Sequence, residues 1–347
     1  MNEGNAFSSV RFSKCTIGFV AFAPKVARFR FVDPAFKLTE NEMISSKRWK
    51  IDELVVNWHL TEACNFGCQF CYAQWKKADK REVWRDEAKT LRLLSEISRF
   101  FAPANPRNPL SDYLEWSRVR LSIAGGEPTL LGDPLVRIAQ QAKRLGLDVS
   151  LITNGSRLET VEKVLPYLAL LGLSLDSAKP DTNATIGRLD RRGNQVCLTQ
   201  IHELLSTART QANGPKIKIN TVVNSANHTE DFSPLLYALQ PDRWKVLRML
   251  PATNSALEIG SHEFDAFVRR HHVFKGIMSV EDNHVMEKSY LMIDPNGRFF
   301  QNGTGQKEYK YSNPILEEGL RNALSQIAFC PERFALRYRP VFPGEVA

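Results

Sequence analysis

From Val55 onward, short β-rich runs alternate with amphipathic stretches. The runs are VVNWHL (55–60), VRLSI (119–123), DVSLIT (148–153), LGLSL (171–175), IKINTVV (217–223) and RWKVLRM (243–249). Between them, apolar positions recur at helical spacing over 86–102, 133–146, 157–170, 194–212 and 229–239. Strand then helix, repeated in this way, predicts an α/β chain with a parallel sheet and right-handed crossovers, and an open, partial (β/α)6 barrel is its natural form. On such sheets functional groups gather at the C-terminal strand ends and in the loops that follow. After about residue 250 the pattern changes to a helix over 261–272 and a strand, turn, strand unit in SYLMIDPNGRFF, with Asp294-Pro295-Asn296-Gly297 as the turn. A helix over 314–329 and a short tail complete it. Residues 1–50 read as an N-terminal extension in which Pro24 and Pro34 interrupt the strand-like TIGFVAF and ARFRFV. The expected organisation is therefore an extension (1–50), a barrel core (51–250) and a C-terminal region (251–347).

The strand period of two sorts the polar residues. In KIKINTVV, Lys216, Lys218 and Asn220 share one face, with Ile217, Ile219 and Thr221 on the other. Helices cover the outside of such a barrel, so an outward lysine row would be buried against apolar surface; the polar row faces the lumen. Arg243 and Lys245 repeat the device on the next strand, with Trp244 and Val246 opposite, and Arg248 and Arg188 follow nearby in the chain. Asn57 and His59 share the lumen side of the first strand. Several fixed cations in one lumen suit a polyanion, and a nucleoside triphosphate fits. The alternative has these side chains reach solvent from the strand ends.

Composition narrows the class without choosing the chemistry. A net charge of +8 over 347 residues suggests an anionic partner, but the basic residues are scattered without a run of like charge, which argues against direct nucleic-acid binding. No apolar run approaches the about 18 residues of a membrane span, and the N-terminus lacks the apolar core of a signal peptide. A cytoplasmic location is expected, where thiols stay reduced and clustered cysteines read as metal ligands or catalytic groups.

Three of the six cysteines, Cys64, Cys68 and Cys71, stand at C-x3-C-x2-C directly after the first strand. Three thiolates can hold a [4Fe-4S] cluster by three irons and leave the fourth open to a ligand. The competing reading is a structural zinc, which needs a fourth ligand such as His59 or a distant cysteine. Cys15, Cys197 and Cys330 lack C-x2-C partners in the sequence, and His59 lies within the strand, which favours the cluster.

With Tyr72 after the last cysteine, this loop resembles that of the radical S-adenosylmethionine enzymes. The resemblance implies a [4Fe-4S] cluster on Cys64, Cys68 and Cys71, with S-adenosylmethionine bound beside Tyr72 by Gly125, Gly126 and Glu127 of AGGEPTL. It adds Thr153, Asn154 and Ser156 of LITNGS, Ser174 and Asp176 of LSLDS, and Arg188 of IGR. Over about residues 52–338, the segments VNWHLTEACNFGCQFCY, GGEP, TNGS, IGR, KINTVVN, RWKVLRML and KSYLMID are similar to the prokaryotic, viperin-like nucleotide dehydratases. That similarity implies abstraction of a ribose 4′-hydrogen from CTP, UTP or GTP and loss of water to a 3′-deoxy-3′,4′-didehydro nucleotide, an antiviral chain terminator.

Tyr290 would then lie near the ribose as the catalytic candidate, and Asn57, His59, Lys218, Asn220, Arg243, Lys245 and Arg248 would contact the nucleotide. Arg337 stands in FALRYRPVFPGEVA, where animal viperins carry a Gly- and Lys-rich segment, and the 251–347 region would close the site. An external one-electron donor of flavodoxin or ferredoxin type is implied. The membrane helix of the animal enzymes is not seen, which supports a soluble form, and a monomer is expected. Two other readings remain at this point: a peptide- or cofactor-maturing radical enzyme, although the C-terminal third holds only Cys330, and a zinc-bound RNA module.

Overall fold

The computed structural model describes residues 48–73, 81–103, 105–251, 255–302 and 309–338. TIGFVAF and ARFRFV lie outside the described residues. The strands are β1 (Trp49–Lys50), β2 (Glu53–His59), β3 (Leu114–Glu115), β4 (Arg118–Ala124), β5 (Asp148–Thr153), β6 (Leu170–Ser174), β7 (Lys216–Val223), β8 (Arg243–Arg248), β9 (Met278–Glu281), β10 (Leu291–Ile293), β11 (Arg298–Asn302) and β12 (Tyr309–Pro314). The helices are α1 (Glu87–Phe100), α2 (Asp133–Arg144), α3 (Leu158–Val164), α4 (Pro180–Thr185), α5 (Leu198–Thr210), α6 (Ser233–Leu239), α7 (Ser261–Arg270), α8 (Ile315–Glu318), α9 (Leu320–Ser325) and α10 (Pro331–Tyr338).

Ten strands form one sheet in the order β12-β11-β10-β2-β4-β5-β6-β7-β8-β9. The run from β10 through β9 is parallel, and β11 and β12 add antiparallel. Leu54, Val56 and Trp58 of β2, Leu121 and Ile123 of β4, Ile217 and Ile219 of β7, and Trp244 and Val246 of β8 face the helices in one continuous core. The core receives Leu93, Leu94 and Ile97 of α1, Ile138 and Ala142 of α2, Leu204 and Leu205 of α5, and Phe267 of α7. Burial of this outer apolar face against helices drives the assembly and commits the alternate residues to the inside. The sheet curls into a partial barrel, as a cross-lumen contact proves. Tyr290, one residue before β10, receives a hydrogen bond from Lys245 Nζ of β8 on its hydroxyl at 3.2 Å, although five strands separate β10 from β8 in the sheet.

The C-terminal third differs from its expected form. The helix over 314–329 is two short helices broken at Gly319, whose φ of +78° lies in the left-handed region. The tail contains α10, and β9 and β12 are additional strands; β9 is short, and β12 buries only Ser312, so it shows no alternation of apolar positions. Helix 157–170 stops at Val164, because a 3-10 turn containing Pro166 leads into β6. Trp49–Lys50, at the end of the expected extension, pairs with Leu114–Glu115. Among the described residues no helix is long and apolar enough to cross a membrane.

Candidate active site

The cysteine loop leaves β2 and is clamped from both sides by glycines. Gly126 packs so closely that an added Cβ would stand 2.2 Å from Ala63 O, and at Gly187 it would stand 2.3 Å from Gly67 O. The backbone N–H groups of Gly126 and Glu127 donate to Thr61 O and Ala63 O, each at 2.7 Å. The glycines of AGGEP thus serve first to admit the protein's own cysteine loop. Gly126→Ala should force Ala63 to move, cost about 1–3 kcal/mol in stability and lower the iron content per chain. Gly67→Ala, whose added carbon meets nothing within 4 Å, is the matched control and should change neither. Thermal melts and iron analysis of the two variants check this.

Further bonds hold the loop in place. Buried Glu82 accepts from Thr61 Oγ1 (2.9 Å) and Glu62 N (2.8 Å), Asn65 donates to Ser156 Oγ (3.0 Å) and accepts from Asn154 Nδ2 (3.0 Å), and Gln69 N donates to Ile186 O (3.0 Å). Tyr309 of β12 donates its hydroxyl hydrogen to Tyr72 O at 2.5 Å, and His59 packs edge-on between Phe300 and Tyr72. Burial lowers the His59 pKa to about 4, so its ring is neutral at pH 7.

Cys64 and Cys71 are exposed and Cys68 is half-buried. Burial pushes the Cys68 thiol up to about 11, and Arg188, with Nη1 3.7 Å from Cys68 Sγ, opposes that effect. Among the described residues no three His, Cys, Asp or Glu side chains converge on one point where a single metal ion would sit. Three thiols spread around one loop, with a guanidinium beside one of them, fit a cluster whose irons each take one sulfur.

The loops expected at S-adenosylmethionine do come together here. Glu127 is buried, and its carboxylate accepts from Thr129 N (3.0 Å), Thr129 Oγ1 (2.5 Å), Thr153 Oγ1 (2.7 Å) and Asn154 N (2.6 Å). It ties the second and third strand loops into one surface. Arg188 pairs with buried Asp176 at 3.2 Å, donates to Ser174 O and lies over Phe66, while Asp176 also accepts from Val222 N at 2.7 Å.

The register places Lys218 opposite Arg243 and Asn220 opposite Lys245 on one side of β7 and β8. Trp244 points the other way, fully buried against Phe232, Phe267 and His271. Lys245 meets Glu281 at 2.7 Å, and Arg337 of α10 meets the same carboxylate at 2.5 Å. Tyr290 donates to Glu281 at 2.8 Å, and the Arg337 guanidinium lies 3.7 Å over its ring. Lys218 has no hydrogen-bonding or ion-pair partner among the described residues, and burial, then Lys245, Arg120 and Arg243, push its pKa well below the usual lysine range. Asn57, on the lumen side of β2, donates to Leu291 O at 3.2 Å. Arg248 departs from expectation: strand parity puts it with Trp244 and Val246, and it pairs with Asp282 at 3.2 Å and donates to Ile259 O.

Sequence reading missed Arg120, Glu53 and Glu281. Arg120 reaches the lumen from β4 and forms a two-bond pair with Glu53 at 2.7 and 2.9 Å. The signal was present, since Arg118, Arg120 and Ser122 alternate with Val119, Leu121 and Ile123 just as in β7. Glu281 sits on a strand too short to recognise, and Asn65 and Glu82 act through tertiary contacts alone.

A partial (β/α)6 barrel with three cysteines after its first strand defines a radical S-adenosylmethionine enzyme. Residues 58–223 match the Radical SAM superfamily. The same fold occurs in anSMEcpe with bound AdoMet, at a TM-score of 0.53 and 14% identity over 83% of this chain and 80% of that one. The chain is 37% identical over 294 residues to the S-adenosylmethionine-dependent nucleotide dehydratase of Pseudoalteromonas ulvae, covering 84% of this chain and 94% of the relative. It is 39% identical over 291 residues to that of Psychrobacter lutiphocae, covering 83% and 95%. The chain belongs to the family of S-adenosylmethionine-dependent nucleotide dehydratases, and its cofactors are a [4Fe-4S] cluster and S-adenosylmethionine.

Proposed function

We propose that this enzyme removes water from the ribose of CTP, UTP or GTP by way of 4′-hydrogen abstraction, giving the 3′-deoxy-3′,4′-didehydro nucleotide that terminates viral RNA chains. The observation that carries this reading is Lys218: an amine inside the barrel with no hydrogen-bonding or ion-pair partner among the described residues, grouped with Arg243 and Lys245 on one face. A side chain so placed costs the protein stability unless a polyanion completes it.

Cys64, Cys68 and Cys71 would hold the cluster, which with S-adenosylmethionine supplies a 5′-deoxyadenosyl radical. Tyr72, Gly125, Gly126, Glu127, Thr153, Asn154, Ser156, Ser174 and Arg188 would form the cofactor wall. Lys218, Asn220, Arg243, Lys245 and Arg337 would bind the triphosphate, with Asn57 and His59 lining the same lumen. Tyr290 would stand beside the ribose, oriented by Lys245 and Glu281. The 251–347 region would close the pocket, since it supplies Glu281, Tyr290 and Arg337. Arg248, tied to Asp282, would brace the rim. The enzyme would work as a cytoplasmic monomer supplied with electrons by a flavodoxin or ferredoxin, and its role would be defence against viruses.

Incubation of the reduced, cluster-loaded protein with S-adenosylmethionine and each nucleoside triphosphate tests the reading. A nucleotide product one water lighter, formed with 5′-deoxyadenosine, is expected. Cofactor cleavage without a change in any nucleotide would overturn it.

A further inference from the structure

Resting on the triphosphate reading above, we infer that Glu281 is a positioning residue for the phosphate site: it fixes Lys245, Arg337 and Tyr290 around one carboxylate and keeps the lysine charged for phosphate. The geometry carries the inference. One Glu281 oxygen meets Lys245 Nζ at 2.7 Å, and the other meets Arg337 at 2.5 Å and the Tyr290 hydroxyl at 2.8 Å. These partners come from β8, from α10 and from the residue before β10, so one side chain joins three separate segments. Arg337 is further held by Ser289 Oγ at 3.1 Å and Val285 O at 3.3 Å.

Charge gives Glu281 its second duty. Lys245 faces Glu281 and Ser279 of β9, Tyr290, Arg337 of α10, Lys218 and Asn220 of β7, and Arg243 on its own strand, while Tyr338 of α10 lies near Arg337, Arg120, Glu281 and Arg243. Glu281 is the carboxylate bonded to it, and the Arg120 guanidinium, farther along the lumen, is answered by Glu53. Burial lowers the Lys245 pKa to about 8, with Arg337 and Arg243 acting in the same direction and Glu281 opposing them. An opposite charge at this range raises a lysine by about 1–3 units. Without it, a larger share of Lys245 would be neutral at pH 7 and would have to gain a proton to hold phosphate.

The test is equilibrium binding of CTP, UTP and GTP by calorimetry between pH 7 and pH 9, using cluster-loaded protein with S-adenosylmethionine. Wild-type affinity should begin to fall more steeply near pH 8, where Lys245 loses its charge. In Glu281→Gln the steep regime should begin at least about one unit lower. The ratio of variant to wild-type Kd should then widen about threefold or more between pH 7 and pH 8. Glu281→Asp, which keeps the charge but shortens the reach, should bind more weakly at every pH with the wild-type profile. A pH-independent ratio for Glu281→Gln would overturn the inference while leaving the functional reading intact, and so would failure of that variant to accumulate as cluster-loaded protein. Failure of the wild type to bind any of the three nucleotides would overturn the functional reading itself.

Discussion

Cys68→Ala is expected to give a colourless protein that neither holds a [4Fe-4S] cluster nor cleaves S-adenosylmethionine. Cys68 is the middle cysteine of the loop, bounded by the Gly67–Gly187 backbone contact on one side and the Arg188 guanidinium on the other. Two remaining thiols cannot anchor three irons. The fold should survive, because the half-buried Cys68 lies outside the main core that joins sheet and helices. Cys197→Ala is the control, since that exposed thiol stands at the start of α5 and belongs to no ligand loop. Iron and sulfide analysis with an assay for 5′-deoxyadenosine decides. Cofactor cleavage retained by Cys68→Ala would remove the ligand assignment.

Lys218→Met is expected to weaken triphosphate binding by roughly 10- to 100-fold while making the protein more stable. The loss follows from removing one charge-assisted contact to phosphate, about 1.5–3 kcal/mol. The gain follows from the apo protein, where Lys218 faces Lys245, Arg120 and Arg243 without an ion-pair partner of its own. Its folded pKa lies well below that of the unfolded chain. Protonation of the unfolded state therefore destabilises the fold below about pH 10.4, and the penalty grows as pH falls toward the folded value. The stability advantage of Lys218→Met should widen over that window as pH is lowered. Binding has a matching signature: when phosphate restores the charge on Lys218, the wild type should take up a proton that Lys218→Met does not. Calorimetry in buffers of different ionisation enthalpy measures this uptake. Equal affinity in the two proteins would exclude Lys218 from the phosphate site.

The two predictions come from parts of the chain that differ in how readily they are read. C-x3-C-x2-C is a local pattern placed by a recognisable strand, so its chemistry is visible along the chain. The lumen cations are visible one step further on, because a period of two sorts each strand once the helices are known to cover one face. Arg120 obeys the same rule, and its strand carries the alternation that reveals it. Arg248 shows the limit of counting cations by proximity, because one step of parity moves it to the opposite side from Lys245.

What the sequence determined by itself was the alternation of strand and helix, the three-cysteine loop and the face on which Lys218, Asn220, Arg243 and Lys245 lie. These are properties of short segments, governed by backbone periodicity and by the need to bury one face. Only the tertiary structure decided which groups meet. Glu281 joins Lys245, Tyr290 and Arg337 because the sheet curls until β8 faces the start of β10 and α10 lies against both. Gly126 and Gly187 gain their purpose because loops more than 50 residues apart press backbone against backbone. Such contacts depend on curvature and on the close approach of distant loops, and no window along the chain contains both partners.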